Sequence, residues 1–527
     1  MNIVALLDEA ARRNPDTAAI IDGPLGGERV TTYAELRDRS RRIATLLSGA
    51  GLAAGDGLAI LVPMSATLYA VIAAALRLGA LPVFLDPRQP APQLDLCRAH
   101  LPVRGFVGTA RACLWRLLTP SLRAIEPCFV SRGWFPGARS LSDWRHAPPW
   151  PDDSSGPDTL PAMLTFTSGS TGQPKGVLRD HGLLAATLTI LARHLDLQAG
   201  GVDLATMPAL VMANLGQGVA SLIPDVDLQR PGQADPARLA RSVQRWRARS
   251  LLASPALVER LADHCRDHGL VLDTLRAVHT GGAPVFPRVL DKIAAIAPGA
   301  VVHALYGSTE AEPMAMLARA QLTAEDRRAI ASGMGLPAGR PIPEIDLAIL
   351  ADRFGQPYSD CSRSEFQARC LAAGATGEIA VSGPHVAGHY LGGQGDGETK
   401  FRVDGQVWHR TGDAGRLDDQ GRLWLAGRCA ARLEGTASTL YPLTLEAALS
   451  EHPQLAHAAF VQRGGKCLLV LEWRPGAAKT GLAEFSAALP WAGIEALVEL
   501  PQIPLDRRHN AKIDYPALHR ALAARGV

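Results

Sequence analysis

An excess of charge of one sign is missing from this sequence: 54 Lys and Arg stand against 51 Asp and Glu over 527 residues, a formal net charge of +3. So even a balance over that length gives no reason to expect nucleic acid or an anionic membrane as a partner. Metal-ligand spacing is missing as well. The eight cysteines, at 97, 113, 128, 265, 361, 370, 429 and 467, form no CxxC or Cys/His pattern, and read as reduced thiols of a cytoplasmic protein. No long apolar run opens the chain, where MNIVALLDEAARRNPD carries acidic residues, and the most apolar stretch, around Ala70 to Leu85, is broken by Arg77. Neither a signal peptide nor a membrane span is expected. Internal repeats and extended low-complexity segments are also lacking. What is present is length, too much for a single hydrophobic core, so about two to four domains or subdomains are expected.

Hydrophobic periodicity predicts an α/β protein. Residues 2–13 read as an amphipathic helix, and Thr31-Thr32-Tyr33 as a strand end and cap leading into a second helix. LAILVPMS, LYAVIAAALRLGA and LPVFLDP then spell a βαβ unit. From Arg88 to Pro157 the periodicity is weak, which predicts a peripheral subdomain and a loop. Strand-like runs (LLASP, AVHTGG, VVHALYG) and helix-like ones (ALVERLADHC, VFPRVLDKIAAI) continue the pattern to about Gly335. Arg340 to Gly427 breaks into short β-like runs, a small β subdomain with a surface insertion at Ser359 to Ala373. The rest is the size of a small α+β domain. The expected division is 1–427 and 428–527.

Four stretches concentrate chemistry. TFTSGSTGQPKGV, Thr165 to Val177, gathers three glycines and the hydroxyls of Thr167, Ser168, Ser170 and Thr171 beside Lys175. Glycines let backbone N–H groups turn inward and the ammonium adds charge, the ingredients of a polyphosphate cradle. It is not a Walker loop, because Pro174 precedes the lysine and Gly176 follows it. Composition alone fits a solvated surface loop as well. VVHALYGSTEAEP, Val301 to Pro313, places an aromatic and glycine at a strand end, followed by Glu310. Tyr306 could stack on a planar base and Glu310 could ligate Mg²⁺, although Thr309 to Glu312 also satisfies a helix-starting capping box. In WHRTGDAGRLDDQGRLWLAGR, Trp408 to Arg428, the acceptor-only carboxylate of Asp413 could receive both hydroxyls of a ribose and Arg428 could add a donor, or the aspartate is simply a turn residue. Lys512, in PLDRRHNAKIDYPAL, says little alone.

Taken in order, these stretches resemble the superfamily of adenylate-forming enzymes that includes acyl-CoA synthetases, luciferases and nonribosomal-peptide adenylation domains, over nearly the whole length. The resemblance implies that ATP and a small carboxylic acid give acyl-AMP and pyrophosphate, with Mg²⁺. It further implies a mobile C-terminal domain that serves a second half-reaction. Thr167, Ser168, Gly169, Ser170, Thr171, Gly172 and Lys175 would hold the β- and γ-phosphates. Gly282, Ala283 and Tyr306 would line the adenine, and Asp413 and Arg428 would hold the ribose. Thr309 and Glu310 would serve the α-phosphate and metal, and Lys512 would bridge the attacking carboxylate and the α-phosphate.

Two departures from the CoA-ligase pattern, Ala430 at the hinge position and Arg508-His509-Asn510-Ala511 before Lys512, are similar to the β-lactone synthetases of bacterial olefin biosynthesis. So are SLIPDVD, YGSTEAEP, GRLWLAGR and HNAKI. That branch implies a β-hydroxy acid whose own hydroxyl displaces AMP. The segment Pro208 to Gly218 differs from it, with Leu210 and Ala213 at positions usually aromatic and a polar Gln217. With Asn214 and Gly281 these are candidate acyl-pocket residues, unless the helix only packs against its neighbours. A ligase charging CoA or an acyl-carrier protein, and a catalytically silent nucleotide-binding scaffold, stay open as alternatives.

Overall fold

The computed structural model of the chain describes residues 2–86, 90–151, 156–168, 174–434, 439–506 and 512–526. The cap at Thr32 forms as a reciprocal box: its hydroxyl accepts from the Glu35 N–H at 3.2 Å and the Glu35 carboxylate accepts from the Thr32 N–H at 2.9 Å, starting helix Tyr33–Gly49. The charge that breaks the most apolar run is accounted for too. Helix Ala66–Leu78 is buried on nearly every face, and Arg77 within it is satisfied by the Asp8 carboxylate, with Nη1 to Oδ2 at 2.8 Å. Among the described residues, no helix is long and apolar enough to cross a membrane.

Two sheets organise the larger part. In the first, strands Ala220–Leu222, Val202–Ala205, Ser250–Ala253, Ala277–Gly281 and Val301–Ser308 lie side by side and parallel. It then turns antiparallel through Ala311–Ala318, Leu336–Pro341, Leu423–Arg428, Gln406–Leu417, Gly377–Ser382 and Asp346–Leu350. The β region expected from Arg340 onward is therefore hydrogen-bonded into the large sheet rather than standing apart. Its expected surface insertion contains helix Arg363–Arg369, whose Phe366 is buried against Trp408 with ring centroids 4.4 Å apart.

The second sheet runs Arg139–Ser140, Cys128–Val130, Val103–Gly108, Gly57–Leu61, Leu81–Phe84, Pro161–Ser168, Pro174–Asp180, all parallel except the last pair. This corrects the reading of Arg88 to Pro157 as peripheral. Phe106 and Phe129 are fully buried in it, and strands covered on both faces lose the alternation that would mark them. The flanks of the glycine-rich stretch pair as antiparallel strands, Thr167 opposite Lys175. Helix His181–His194 begins only after the second strand.

Beyond Arg428, a three-stranded sheet of Leu455–Arg463, Lys466–Trp473 and Ala496–Glu499 carries helices Pro442–Ala448, Leu482–Ala488 and Tyr515–Ala523. This smaller α+β C-terminal domain has its own core around Phe460, Leu469 and Phe485. It docks on the large sheet where Leu443 and Ala447 cover Trp424. The Tyr441 hydroxyl donates to Asp352 at 2.9 Å, and Arg327 pairs with Glu451 at 3.0 Å.

Candidate active site

The parallel strands of the large sheet end at one edge, and the candidate residues gather there. Gly281 closes its strand where any side chain would come within 2.7 Å of the Leu305 carbonyl oxygen, and Gly282 follows with φ +81. Gly282 and Ala283 are both half-buried. From the next strand, the Tyr306 hydroxyl donates to Asp413 Oδ2 at 2.9 Å. Asp413 and Arg428 face each other across antiparallel strands, with Arg428 Nε 3.1 Å from the other aspartate oxygen. Three residues spread over 122 positions of sequence thus meet through one hydrogen-bonded ladder. Burial, then the aspartate charge, pushes the tyrosine well above its ordinary range, so it stays a donor. Asp413 keeps 19 % of its side chain exposed and Arg428 54 %, an open edge where a diol could exchange for these contacts.

No helix starts at Thr309. Residues Thr309 and Glu310 form the turn between strands Val301–Ser308 and Ala311–Ala318, which leaves the capping-box reading without an element to cap. The Glu310 N–H donates to the Ser308 hydroxyl at 3.2 Å, and its carboxylate accepts from the Tyr390 hydroxyl at 2.9 Å. Burial raises this carboxyl, but His409, Tyr390 and Lys400 outweigh it and the net position is below the usual range. Since burial and the Lys400 charge hold His409 neutral, down to about 3, the hydroxyl and the ammonium keep Glu310 ionised at neutral pH. A single ionised carboxylate among donors suits Mg²⁺, which takes one or two protein oxygens and completes its shell with water and phosphate. Among the described residues no cluster of three or more metal-ligating side chains occurs.

Tyr390 is the hub that the sequence reading missed. Lys175 Nζ lies 5.3 Å from its ring centroid and Lys400 Nζ 5.1 Å, so two ammonium groups lie against the ring whose hydroxyl holds Glu310. Lys175, only 6 % exposed, comes 3.9 Å from Glu398, and the backbone of Gly395 packs so close that a side chain there would lie 2.6 Å from the ammonium. Lys400 donates to the Ala387 carbonyl, and burial, opposed by Glu310 and Asp396, lowers it to about 8. A signal for Lys400 existed: the chain has only six lysines, at 175, 292, 400, 466, 479 and 512. Arg179 was also missed. From the strand after the glycine-rich stretch it donates to the Thr165 hydroxyl at 2.8 Å and to the Thr309 carbonyl, tying both candidate motifs together.

Of the remaining candidates, Thr167 is half-buried in the hairpin opposite Lys175. The side chain of Ser168 and residues Gly169, Ser170, Thr171 and Gly172 lie outside the described residues. Lys512 is half-buried in the C-terminal domain, its carbonyl accepting from the Asp506 N–H at 2.7 Å beside a Leu505–Ile513 bridge. On helix Pro208–Gln217, Leu210 and Ala213 are packed in the main apolar cluster. The Asn214 side-chain NH2 donates below the helix to Asp203 and Ser221 at 3.0 Å each while its Oδ1 is buried without a hydrogen-bond partner, and Gln217 is half-buried in the last turn. The asparagine serves the sheet rather than an open pocket: Asp203 is buried, and the amide bond helps to satisfy it.

Known proteins resemble this chain along most of its length. Olefin beta-lactone synthetase of Stenotrophomonas maltophilia is 34% identical over 97% of this chain and 96% of its own. The protein of the same name from Xanthomonas campestris pv. campestris is also 34% identical, with the same coverage. Among solved structures, the amide bond synthetase McbA from Marinactinospora thermotolerans superposes with a TM-score of 0.78, covering 98% of this chain and 99% of that one at 21% identity. The profile of the AMP-binding enzyme family matches residues 7–391, and the chain belongs to that family.

Proposed function

We propose that this chain adenylates a β-hydroxy carboxylic acid with ATP and then closes it to a β-lactone. The observation that carries the first half is the coupled pair of clusters at one sheet edge. Asp413, held at both oxygens by Tyr306 and Arg428, suits a ribose, and Lys175 and Glu310, joined by Tyr390, suit a polyphosphate with Mg²⁺. The two relatives named olefin beta-lactone synthetase, matched from end to end, support the second half.

In the first step a carboxylate oxygen of the acid attacks the α-phosphorus, the α–β P–O bond breaks and pyrophosphate leaves. Glu310 would hold Mg²⁺, which supplies positive charge to the phosphate oxygens. Lys175 would meet the departing pyrophosphate, and Lys512 would draw the carboxylate and α-phosphate together. In the second step the β-hydroxyl oxygen bonds to the acyl carbon, its proton is lost, and the bond to AMP breaks. The small domain would begin at Arg428 and turn about that point between the steps, with Ala430 in place of a charged hinge residue.

The test is a product analysis by mass spectrometry. The purified chain, ATP, Mg²⁺ and a panel of β-hydroxy acids, without thiol, are expected to give AMP and a product lighter than the acid by one water. A thioester formed only on adding CoA or a carrier protein would reassign the second step. No acid-dependent ATP/pyrophosphate exchange with any acid would leave only a nucleotide-binding scaffold.

A further inference from the structure

On adjacent strands of the large sheet, His279 and His303 are register partners. Their rings stack with centroids 5.2 Å apart and planes 8° from parallel. Imidazole hydrogen bonds lie in the ring plane, so two parallel rings cannot satisfy each other. Both nitrogens of His279 and Nδ1 of His303 are buried without a hydrogen-bond partner. The backbone of Leu195 lies near His279 and favours its charged form a little, but not at hydrogen-bonding geometry. Burial dominates and keeps this ring neutral, at about 3, with one donor and one acceptor to offer. Buried polar groups in folded proteins are nearly always paired, and a cluster of unpaired ones calls for a reason.

Their position on the strands says what they face. Side chains alternate across a sheet, so His279 shares a face with Gly281, and His303 with Leu305. Leu252, opposite His279, and Leu305 belong to the apolar cluster that includes Leu195 and Leu210. Met207, Met212 and Met316 pack against that cluster, Met316 directly opposite Leu305. From the proposed nucleotide edge inward, this face therefore reads one level of Gly281, Leu305 and Met316, side by side on three strands, and then the two histidines. At roughly 3.3 Å per residue, His279 lies about 7 Å below Gly281. Methionine is unbranched and rotates easily, so a wall built from it can part around a chain.

We propose that this lane takes the acyl chain and that His279 and His303 at its floor read a second hydrogen-bonding group on it. The preferred acid then carries a hydroxyl, ketone or amide beyond its β-carbon rather than a plain alkyl tail. The proposal rests on the adenylating function above and names its substrate class.

The experiment measures ATP/pyrophosphate exchange by the full chain with pairs of β-hydroxy acids of equal length, one ending in plain alkyl and one bearing a distal hydroxyl or ketone. The polar acid is expected to be favoured by about tenfold or more in kcat/KM, since a site with buried donors rejects a partner that leaves them unpaired. His279→Leu and His303→Leu, each checked for folding by its melting transition, should erase or invert that preference through the acid alone, leaving the KM for ATP unchanged. His279→Asn should keep part of it. Equal use of both acids by the unaltered chain overturns the proposal, and so does an unchanged preference in a folded leucine variant. No exchange with any acid overturns the adenylating function itself, and the proposal with it.

Discussion

The proposed nucleotide edge and the proposed acyl lane meet at strands Ala277–Gly281 and Val301–Ser308 yet are built by opposite rules. At the edge, polar side chains from distant segments interlock: Tyr306 with Asp413, Asp413 with Arg428, Tyr390 with Glu310, Arg179 with both Thr165 and Thr309. In the proposed lane, Leu305, Met207, Met212 and Met316 touch only by packing, and both ring nitrogens of His279 and Nδ1 of His303 are buried without a hydrogen-bond partner. Interlocked charge-assisted bonds fix positions to a fraction of an ångström, whereas a methionine wall fixes little. In the proposed reaction one end would hold what every adenylation needs in common, and the other would be free to differ between acids.

That contrast can be broken from either side. The largest loss should come from the residue proposed to serve both ends: Lys512→Ala is expected to lower ATP/pyrophosphate exchange about a thousandfold, by analogy with removal of one preorganised charge at a reacting centre. Its melting temperature should stay within error, and normal exchange would remove Lys512 from the chemistry. Asp413→Ala should act on one end only. Losing a charged partner of both Tyr306 and Arg428 predicts a KM for ATP raised roughly 10- to 100-fold, with acid selectivity unchanged. An altered choice among acids in that variant would mean that the two ends are not separate.

A smaller effect lies in stability and pH. Lys400 is 9 % exposed, and burial lowers it from 10.5 in the unfolded chain to about 8. Between those two values the unfolded chain binds more protons than the folded one, so stability contributed by this group rises with pH from about 8 to 10.5. Lys400→Met removes the term. The unaltered protein should therefore gain in melting temperature relative to the variant across that window, and parallel curves would show that the ammonium is not desolvated as placed.

The contrast also explains what could be seen in the sequence. The βαβ unit at residues 57–84 and the strand ends at Gly281 and Tyr306 were legible because composition changes abruptly there, from apolar runs to glycine and hydroxyls. Strands Val103–Gly108 and Cys128–Val130 were not, because burial on both faces removes the period that marks a strand. In the site, the motif residues were legible one by one, but their partners were not. Nothing near Tyr390 in sequence announces that it bridges Glu310 and two lysines, because the bridge exists only through the pairing of Val177 with Tyr390 and of Lys400 with His409. The partners of Asn214, Asp203 and Ser221, were hidden for the same reason, being set by sheet order. His279 and His303 carried no pattern at all, since a register match cannot be read from spacing.

Because Tyr306, Asp413 and Arg428 belong to a single backbone ladder that runs from the parallel strands into the antiparallel ones, their mutual spacing is a property of the sheet rather than of any loop. In the proposed reaction the ribose diol exchanges only with the side chains of that ladder, while the strands that carry them keep their pairing from one turnover to the next.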